Sequence, residues 1–329
     1  MGETENMSLG NLIRNLKYRS YRISIFFYKI FLGIYQANNR LVKKAKQELT
    51  ENIDGKTYCC VELKSIVNQF KMILIRPGFI EDEIAKFKTW EPRLMSLMCF
   101  FMRHDGIFLD VGANIGFHSL FLASSFERSQ CIAFEPNPVI YGQLIRNVKI
   151  NDNLTNISTC DIAVSDHCGE VEFYMQQESS YNRGLSSTLY NYDINYDIQN
   201  IEKIRVKTKT IDSFLDDSIK DKIAVIKIDT QGNEYQVICG SINTIKISKP
   251  VIFFEFEVGY HSEDPEGYLN KILDILPEYK IFLVSKDASR SFKDFRVSEI
   301  CKEKYFEGDF ICLPHNLVSE MDLKNWTGS

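Results

Sequence analysis

The sequence predicts an α/β fold, with a mostly parallel β-sheet covered by helices on both faces and a basic helical extension in front of it. Three observations lead there. From residue 107 onward, short apolar runs alternate with segments of helical period. One run, Phe108-Leu109-Asp110-Val111, opens into the turn Gly112-Ala113-Asn114-Ile115-Gly116 and then a helix. Residues 9–48 contain no proline, and their apolar residues recur at helical spacing with basic residues between them.

Composition allows this and excludes much else. A chain of 329 residues accommodates one large domain with an appendage, or two domains. Hydrophobic content of 44% and charged content of 25% are those of a folded soluble protein, which excludes a disordered chain. The net charge of −5 is uneven. Residues 1–47 carry nine Lys and Arg against two Glu, and the remainder is strongly acidic. The body is therefore a poor partner for nucleic acid, which needs a basic surface. Nine cysteines without a C-x-x-C pair read as buried free thiols in a reducing compartment. The polar first ten residues lack a signal-peptide pattern, so the expected location is cytoplasmic.

The elements follow in chain order. Residues 1–50 form the basic extension, with Leu9, Leu12, Ile13 and Leu16, then Ile23, Phe26, Phe27 and Ile30, on apolar faces. Ile23–Ala37 is too short and too charged to span a bilayer, which takes about 20 apolar residues. The extension therefore suits peripheral membrane contact, or packing on the body or on a second copy in a homo-oligomer. Salt-sensitive flotation with anionic liposomes separates these readings. Residues 51–105 supply two short strands within 57–76 and a helix over roughly Glu91–Met102. Residues 106–315 form the α/β body, and 316–329 a tail.

Within the body, strands are expected at Ile107–Val111, Cys131–Phe134, Ile157–Val164, Ala224–Ile228, Val251–Phe256, Tyr279–Val284 and Phe310–Leu313. Helices fill His118–Phe126, Pro138–Asn151, Glu234–Ser241 and Pro265–Leu276. Two period-2 runs, EVEFYM and IRVKTKT, flank residues 176–200, which are rich in Asn, Tyr, Asp and Ser. That stretch reads as a loop over the strand ends, where substrate contacts usually lie.

Three places carry chemistry. Gly112 lets backbone approach a ligand closely, and Gly116 permits tight helix–strand packing. The spacing is G-x-x-x-G, so the pyrophosphate cradle of dinucleotide enzymes is incomplete. Asp110 would repel a pyrophosphate and suits a cationic group such as an amino acid's ammonium. Glu135, at the end of the next strand, is placed to accept hydrogen bonds from both ribose hydroxyls of an adenosine. Asp161, after the third strand, either meets an adenine edge or is a surface acid.

Residues 90–257 resemble the FkbM-type S-adenosylmethionine-dependent methyltransferases. The resemblance rests on TWEP, FLDVGANIGFHS, FEPNP with LIRNVKIN, DIAVSDHCGEVEF, KTIDSFL, KIDTQGNE and KPVIFFEFE, in the family's order. It implies the class I Rossmann-like sheet of seven strands, the last antiparallel, with S-adenosyl-L-methionine as cofactor. It further implies that Asp110 and Gly112 line the methionine part, with Asn114 and Ser119 at the adjoining helix start. Glu135 would bind ribose, Asp161 with Ala163 would face adenine, and Glu91 would lie just above the cofactor. The acceptor would be a hydroxyl of a sugar, glycan or other polyhydroxylated metabolite. The family's common D-x-E-G becomes Asp229-Thr230-Gln231-Gly232 here, which weakens a metal-dependent variant.

Transfer to an alcohol needs a proton acceptor beside the methyl. Asp229 is the first candidate for that catalytic role, with Glu255 and His261 behind it. Asp229, Glu234 and Glu255 would bind Mg²⁺ only if all three converged, and Glu234 reads instead as a first-turn helix acid. No metal is expected, and His118 reads as packing. Two other functions compete: a nicotinamide-dependent oxidoreductase, and a membrane-surface scaffold that binds cofactor without catalysis. S-adenosylhomocysteine should stabilise a methyltransferase against heat, NAD an oxidoreductase, and neither an empty scaffold.

Overall fold

The structure is a computed structural model that describes residues 49–53, 56–176, 181–189, 201–287, 290–321 and 327. The basic extension Arg14–Lys46 lies outside the described residues. No helix among the described residues is long and apolar enough to cross a membrane.

The chain opens with an antiparallel three-stranded sheet, β1 (Leu49–Ile53), β2 (Lys56–Lys64) and β3 (Gln69–Arg76). Two helices follow, α1 (Phe79–Phe87) and α2 (Pro92–Phe101). The first was not anticipated, although Pro77-Gly78 and the acids Glu81 and Asp82 in its first turn are helix-start signals.

The central sheet has the spatial order β13-β12-β14-β11-β10-β4-β5-β6. Its members are β4 (Ile107–Val111), β5 (Gln130–Phe134), β6 (Ile157–Cys160), β10 (Ile223–Ile228), β11 (Val251–Glu257), β12 (Tyr279–Val284), β13 (Phe292–Lys293) and β14 (Glu307–Pro314). β4, β5, β6, β10 and β11 run parallel, and β14 inserts antiparallel between β11 and β12. All residues of β4 and of β10 are buried, as a sheet covered on both faces requires.

Two expectations need correction. The sheet has eight strands, because Phe292 is buried against Phe282 with ring centroids 4.7 Å apart and carries β13 onto the edge. The third parallel strand is also shorter than expected. It ends at Cys160, and Ala163–Val164 (β7) leaves for a third sheet of order β7-β9-β8. That sheet contains the two period-2 runs, β8 (Gly169–Gln176) and β9 (Ile201–Lys209), paired antiparallel.

Helices α3 (Phe117–Ser125) and α4 (Pro138–Lys149) flank the start of the sheet. Gln143, Asn147 and Asn151 recur at four-residue spacing and serve the open edge of β3. Asn147 Oδ1 accepts from Ile73 N at 2.7 Å, and Asn151 Oδ1 from Lys71 N at 2.7 Å. Gln143 and Asn151 donate back to Ile73 O and Lys71 O. The side-chain amides thus replace a neighbouring strand. Asn147 Nδ2 also donates to Ile115 O at 2.9 Å, which couples this edge to the glycine-containing turn. All nine cysteines are free, but only Cys59, Cys131 and Cys312 are fully buried, and Cys168 is exposed.

Candidate active site

A cleft of about 730 Å³ opens at the C-terminal ends of the parallel strands, where α/β sheets bind ligands. Its floor is the turn after β4. Gly112 has φ +83°, and a Cβ there would fall 1.8 Å from Asp229 O, so only glycine lets the two loops touch. Asp110 lies beneath this turn, fully buried. Its Oδ2 accepts from Ser119 Oγ at 2.6 Å, and its Oδ1 has no hydrogen-bond partner among the described residues. Neither Asp110 nor Ser119 is part of the cleft lining, so this pair lies beneath the floor and, against expectation, supports the turn from below.

Glu135 follows β5 and is held by the backbone on both sides. Oε2 accepts from Asn114 N and Oε1 from Asn137 N, each at 2.9 Å. Each oxygen keeps a second lone pair for a ligand hydroxyl. Burial raises its pKa to about 7, against the lowering effect of those amides. Asn114 has φ +51° and lines the cleft beside Glu135.

The adenine side departs from expectation at one residue. Ala163 lines the cleft with Ile162, Val164 and Asp166. Asp161 is exposed and is absent from the lining, because the chain leaves β6 there and turns outward.

The part of the cleft at the ends of β10 and β11 is rich in carboxylates. Asp229 leaves β10 and hydrogen-bonds through its backbone N to Val111 O at 2.9 Å. Its Oδ2 is 2.9 Å from the Nζ of Lys227, a lysine only 4% exposed. Gln231 Nε2 donates to Asp229 Oδ1 at 2.8 Å and to Glu255 Oε2 at 3.0 Å, while its Oε1 accepts from Tyr260 Oη at 2.9 Å. Burial works to raise the pKa of Asp229, but the Lys227 ammonium and the hydrogen bonds outweigh it and hold it low. Glu255 goes the other way, pushed well up by burial and then by Asp229, Asp309 and Glu91. Lys227 and the tying role of Gln231 escaped sequence reasoning. The signal for Lys227 was a charged residue inside the apolar run Ala224–Ile228.

Glu91 heads α2 with φ +42° and lines the cleft, its Oε2 3.2 Å from His118 Nε2. His118 is buried and faces the cleft as well, so it is more than packing. Glu234 turns back on its own loop, accepting from Thr230 N and Gly232 N at 3.2 and 3.0 Å. Asp229, Glu234 and Glu255 therefore do not converge. Among the described residues no three His, Cys, Asp or Glu side chains group as metal ligands. His261 is a second correction. It stacks on Tyr268 at 3.4 Å and on Phe256, outside the cleft lining, and burial lowers its pKa to about 4.

Residues 181–189 roof the cleft, as expected of the insert. Ser187 Oγ donates to Gln231 O at 2.6 Å, and Asn137 Nδ2 donates to Ser186 Oγ at 3.1 Å, so the roof joins both ends. Its anchor is Arg183, which pairs with Glu81 of α1 and donates to Ile75 O at 3.0 Å, with both charged side chains buried. Phe79 and Tyr181 stand exposed at the mouth, each edge-on to the next in the row Trp90–Phe79–Tyr181.

The strand order, the antiparallel β14 and this cleft define a class I Rossmann-like methyltransferase domain. Residues 110–292 match the Methyltransferase FkbM domain, more than half of the chain, and the chain belongs to that family of S-adenosylmethionine-dependent methyltransferases. It is 25% identical over 147 residues to Methyltransferase 1 of Beauveria bassiana, covering 41% of this chain and 58% of that one. It is also 25% identical over 185 residues to the 2-O-methyltransferase NoeI of Sinorhizobium fredii, covering 54% and 73%. The chain thus spans little more than half of the first relative. Among solved structures it is similar to a methyltransferase FkbM from Methylobacillus flagellatus, with a TM-score of 0.39, 17% identity, and coverage of 64% of this chain and 44% of that one. The site fits the cofactor: Glu135 keeps a free lone pair on each oxygen, and Asn114 and Ala163 line the same cleft.

Proposed function

We propose that this chain is an O-methyltransferase acting on a hydroxyl of a sugar, glycan or other polyhydroxylated metabolite. The observation that carries the reading is the placement of Asp229 and Glu255. They line the same cleft as Gly112 and Glu135, with Asp229 in contact with the Gly112 turn, so an acceptor held at β10 and β11 lies next to a cofactor held at β4 and β5. Bound S-adenosylmethionine supplies a methyl activated as a sulfonium, whose S–C bond breaks as the O–C bond forms, leaving a thioether.

The chain's own residues do the rest. Glu135 holds the cofactor, Asp110 with Ser119 supports the turn beneath it, and Asn114 and Ala163 shape its walls. Asp229 takes the hydroxyl proton. It is a weak base, but the hydroxyl grows strongly acidic as its oxygen gains the methyl, so an ionised carboxylate in reach suffices. Glu255 orients the acceptor, and the roof at 181–189 limits water. The polyhydroxylated acceptor draws support from the lining, which offers hydrogen-bond acceptors in Asp229 and Glu255 and flat apolar faces in the exposed Phe79 and Tyr181. One relative is named a 2-O-methyltransferase, which points the same way.

The test is methyl transfer from isotopically labelled S-adenosylmethionine to a panel of mono- and oligosaccharides, with amines and RNA alongside. The reading expects label in O-methyl ethers of the sugars. Label confined to nitrogen or to RNA contradicts it.

A further inference from the structure

We propose that Lys227 is a positioning residue that keeps Asp229 an anion and leaves Glu255 as the carboxyl that holds a proton. The inference rests on the reading that methyl transfer occurs at the Asp229 end of the cleft, and it adds what sets the proton state there.

Lys227 and Asp229 are two residues apart, so their side chains leave β10 on the same face. In the parallel register Lys227 lies opposite Asp110 of β4 and Phe253 of β11. An ammonium this deep in a sheet is tolerated only with a partner, and the partner in contact is Asp229, at 2.9 Å. The other charges that bear on it are acids, Asp110 on β4, Glu91 at the head of α2 and Asp309 on β14, with Glu255 on β11 reached through Gln231 and His118 of α3 lying 3.2 Å from Glu91. Glu255 and Asp309 face each other in register across β11 and β14. Like charges so placed oppose one another, and one ammonium cannot keep all of these carboxyls ionised in a dry site.

Contact selects Asp229. The Gln231 amide completes the arrangement, because its two N–H groups reach Asp229 and Glu255 at once. A protonated Glu255 still offers an oxygen to that amide, so the row Lys227, Asp229, Gln231, Glu255 is satisfied with one proton on Glu255. The direction of the shifts agrees: Asp229 is held low by Lys227 against the effect of burial, and Glu255 is pushed up by burial and its acidic neighbours.

The sulfonium of S-adenosylmethionine carries a charge that S-adenosylhomocysteine lacks. The ratio of their dissociation constants therefore reports the charge at the transfer end, while effects on Glu135, the adenine wall and the fold cancel. Calorimetric titration of the full chain should give a wild-type ratio that is constant within about twofold between about pH 5 and pH 7.5. K227R, which keeps the charge, should stay as flat. In K227M the ratio should move by about fivefold or more over the same range, with S-adenosylmethionine losing affinity as Asp229 takes up a proton at low pH.

A flat ratio in K227M overturns the proposal. So does a comparable drift in the wild type, which decides the matter even if K227M does not fold. Failure of wild type to bind either ligand would instead strike the cofactor assignment, and is told apart by the absence of titration heat.

Discussion

At the end of β5 the carboxylate is held by backbone amides, whereas at the ends of β10 and β11 the polar side chains are held by one another. Glu135 takes an amide N–H on each oxygen, and Asp110 sits under a turn whose path Gly112 fixes. Asp229 and Glu255 depend instead on a lysine and a glutamine side chain. The first arrangement stays put when a neighbour is changed, because strand and turn carry it. The second redistributes charge when any member is replaced. The difference suits the tasks: one end binds a constant cofactor, and the other adapts to an acceptor and a proton.

The sharpest way to break this comparison is at the transfer end. Asp229→Asn keeps the shape and removes the charge that takes the proton. Methyl transfer to an accepted acceptor should fall by about 10²–10⁴-fold, the usual contribution of a positioned base. Retained activity would move the proton acceptor to Glu255.

The roof that joins the two ends offers the next test. Arg183→Met breaks a buried ion pair with Glu81, and such losses cost about 3–5 kcal/mol in unfolding free energy. Burial already raises the Glu81 pKa, against Arg183. The abandoned carboxyl can therefore take up a proton, and urea unfolding should show a smaller loss at acidic pH than at neutral pH. An equal loss at both would mean that the uncompensated charge is not its source.

A smaller effect separates the halves by pH. Glu135 and Glu234 have pKa values raised by burial to about 7 from a usual 4.5. The folded state then binds more protons than the unfolded chain between those values, so stability is full below about 4.5 and declines as pH rises through 7. Each carboxyl contributes on the order of 3 kcal/mol to that difference. Without cofactor, the thermal midpoint should be higher near pH 5.5 than near pH 8. Glu135→Gln should flatten part of the slope, and Asp229→Asn, which removes one of the charges that raise Glu135, should flatten it less.

What the sequence disclosed follows the same division. The order of strands and helices from β4 to β14 was legible, because buried parallel strands are continuous apolar runs and the helices between them carry their own period. The cofactor end was legible too, since Gly112 and Glu135 owe their roles to their places in a strand–turn–helix unit. Asp161 shows where this stops. Its exposure depends on the chain leaving β6 at Cys160 for another sheet, a tertiary event that local pattern does not encode. At the acceptor end, Lys227 looked like an interruption of a strand, and His261 like a free base. Their roles are set by Asp229 in one case and by the stack of Phe256 and Tyr268 in the other. The anchor of Arg183 on Glu81 joins residues 102 apart in sequence, which no spacing reveals.

The division of the cleft is tested most directly by calorimetric titration of S-adenosylhomocysteine into Glu135→Ala and Asp229→Asn, side by side with the wild type. Glu135→Ala should weaken binding by about 1.5–3 kcal/mol, the scale of hydrogen bonds to a charged group. Asp229→Asn should bind within about threefold of wild type, because its charge is needed mainly in the transition state. Equal losses in both variants, or wild-type affinity in Glu135→Ala, would contradict the assignment of the two ends.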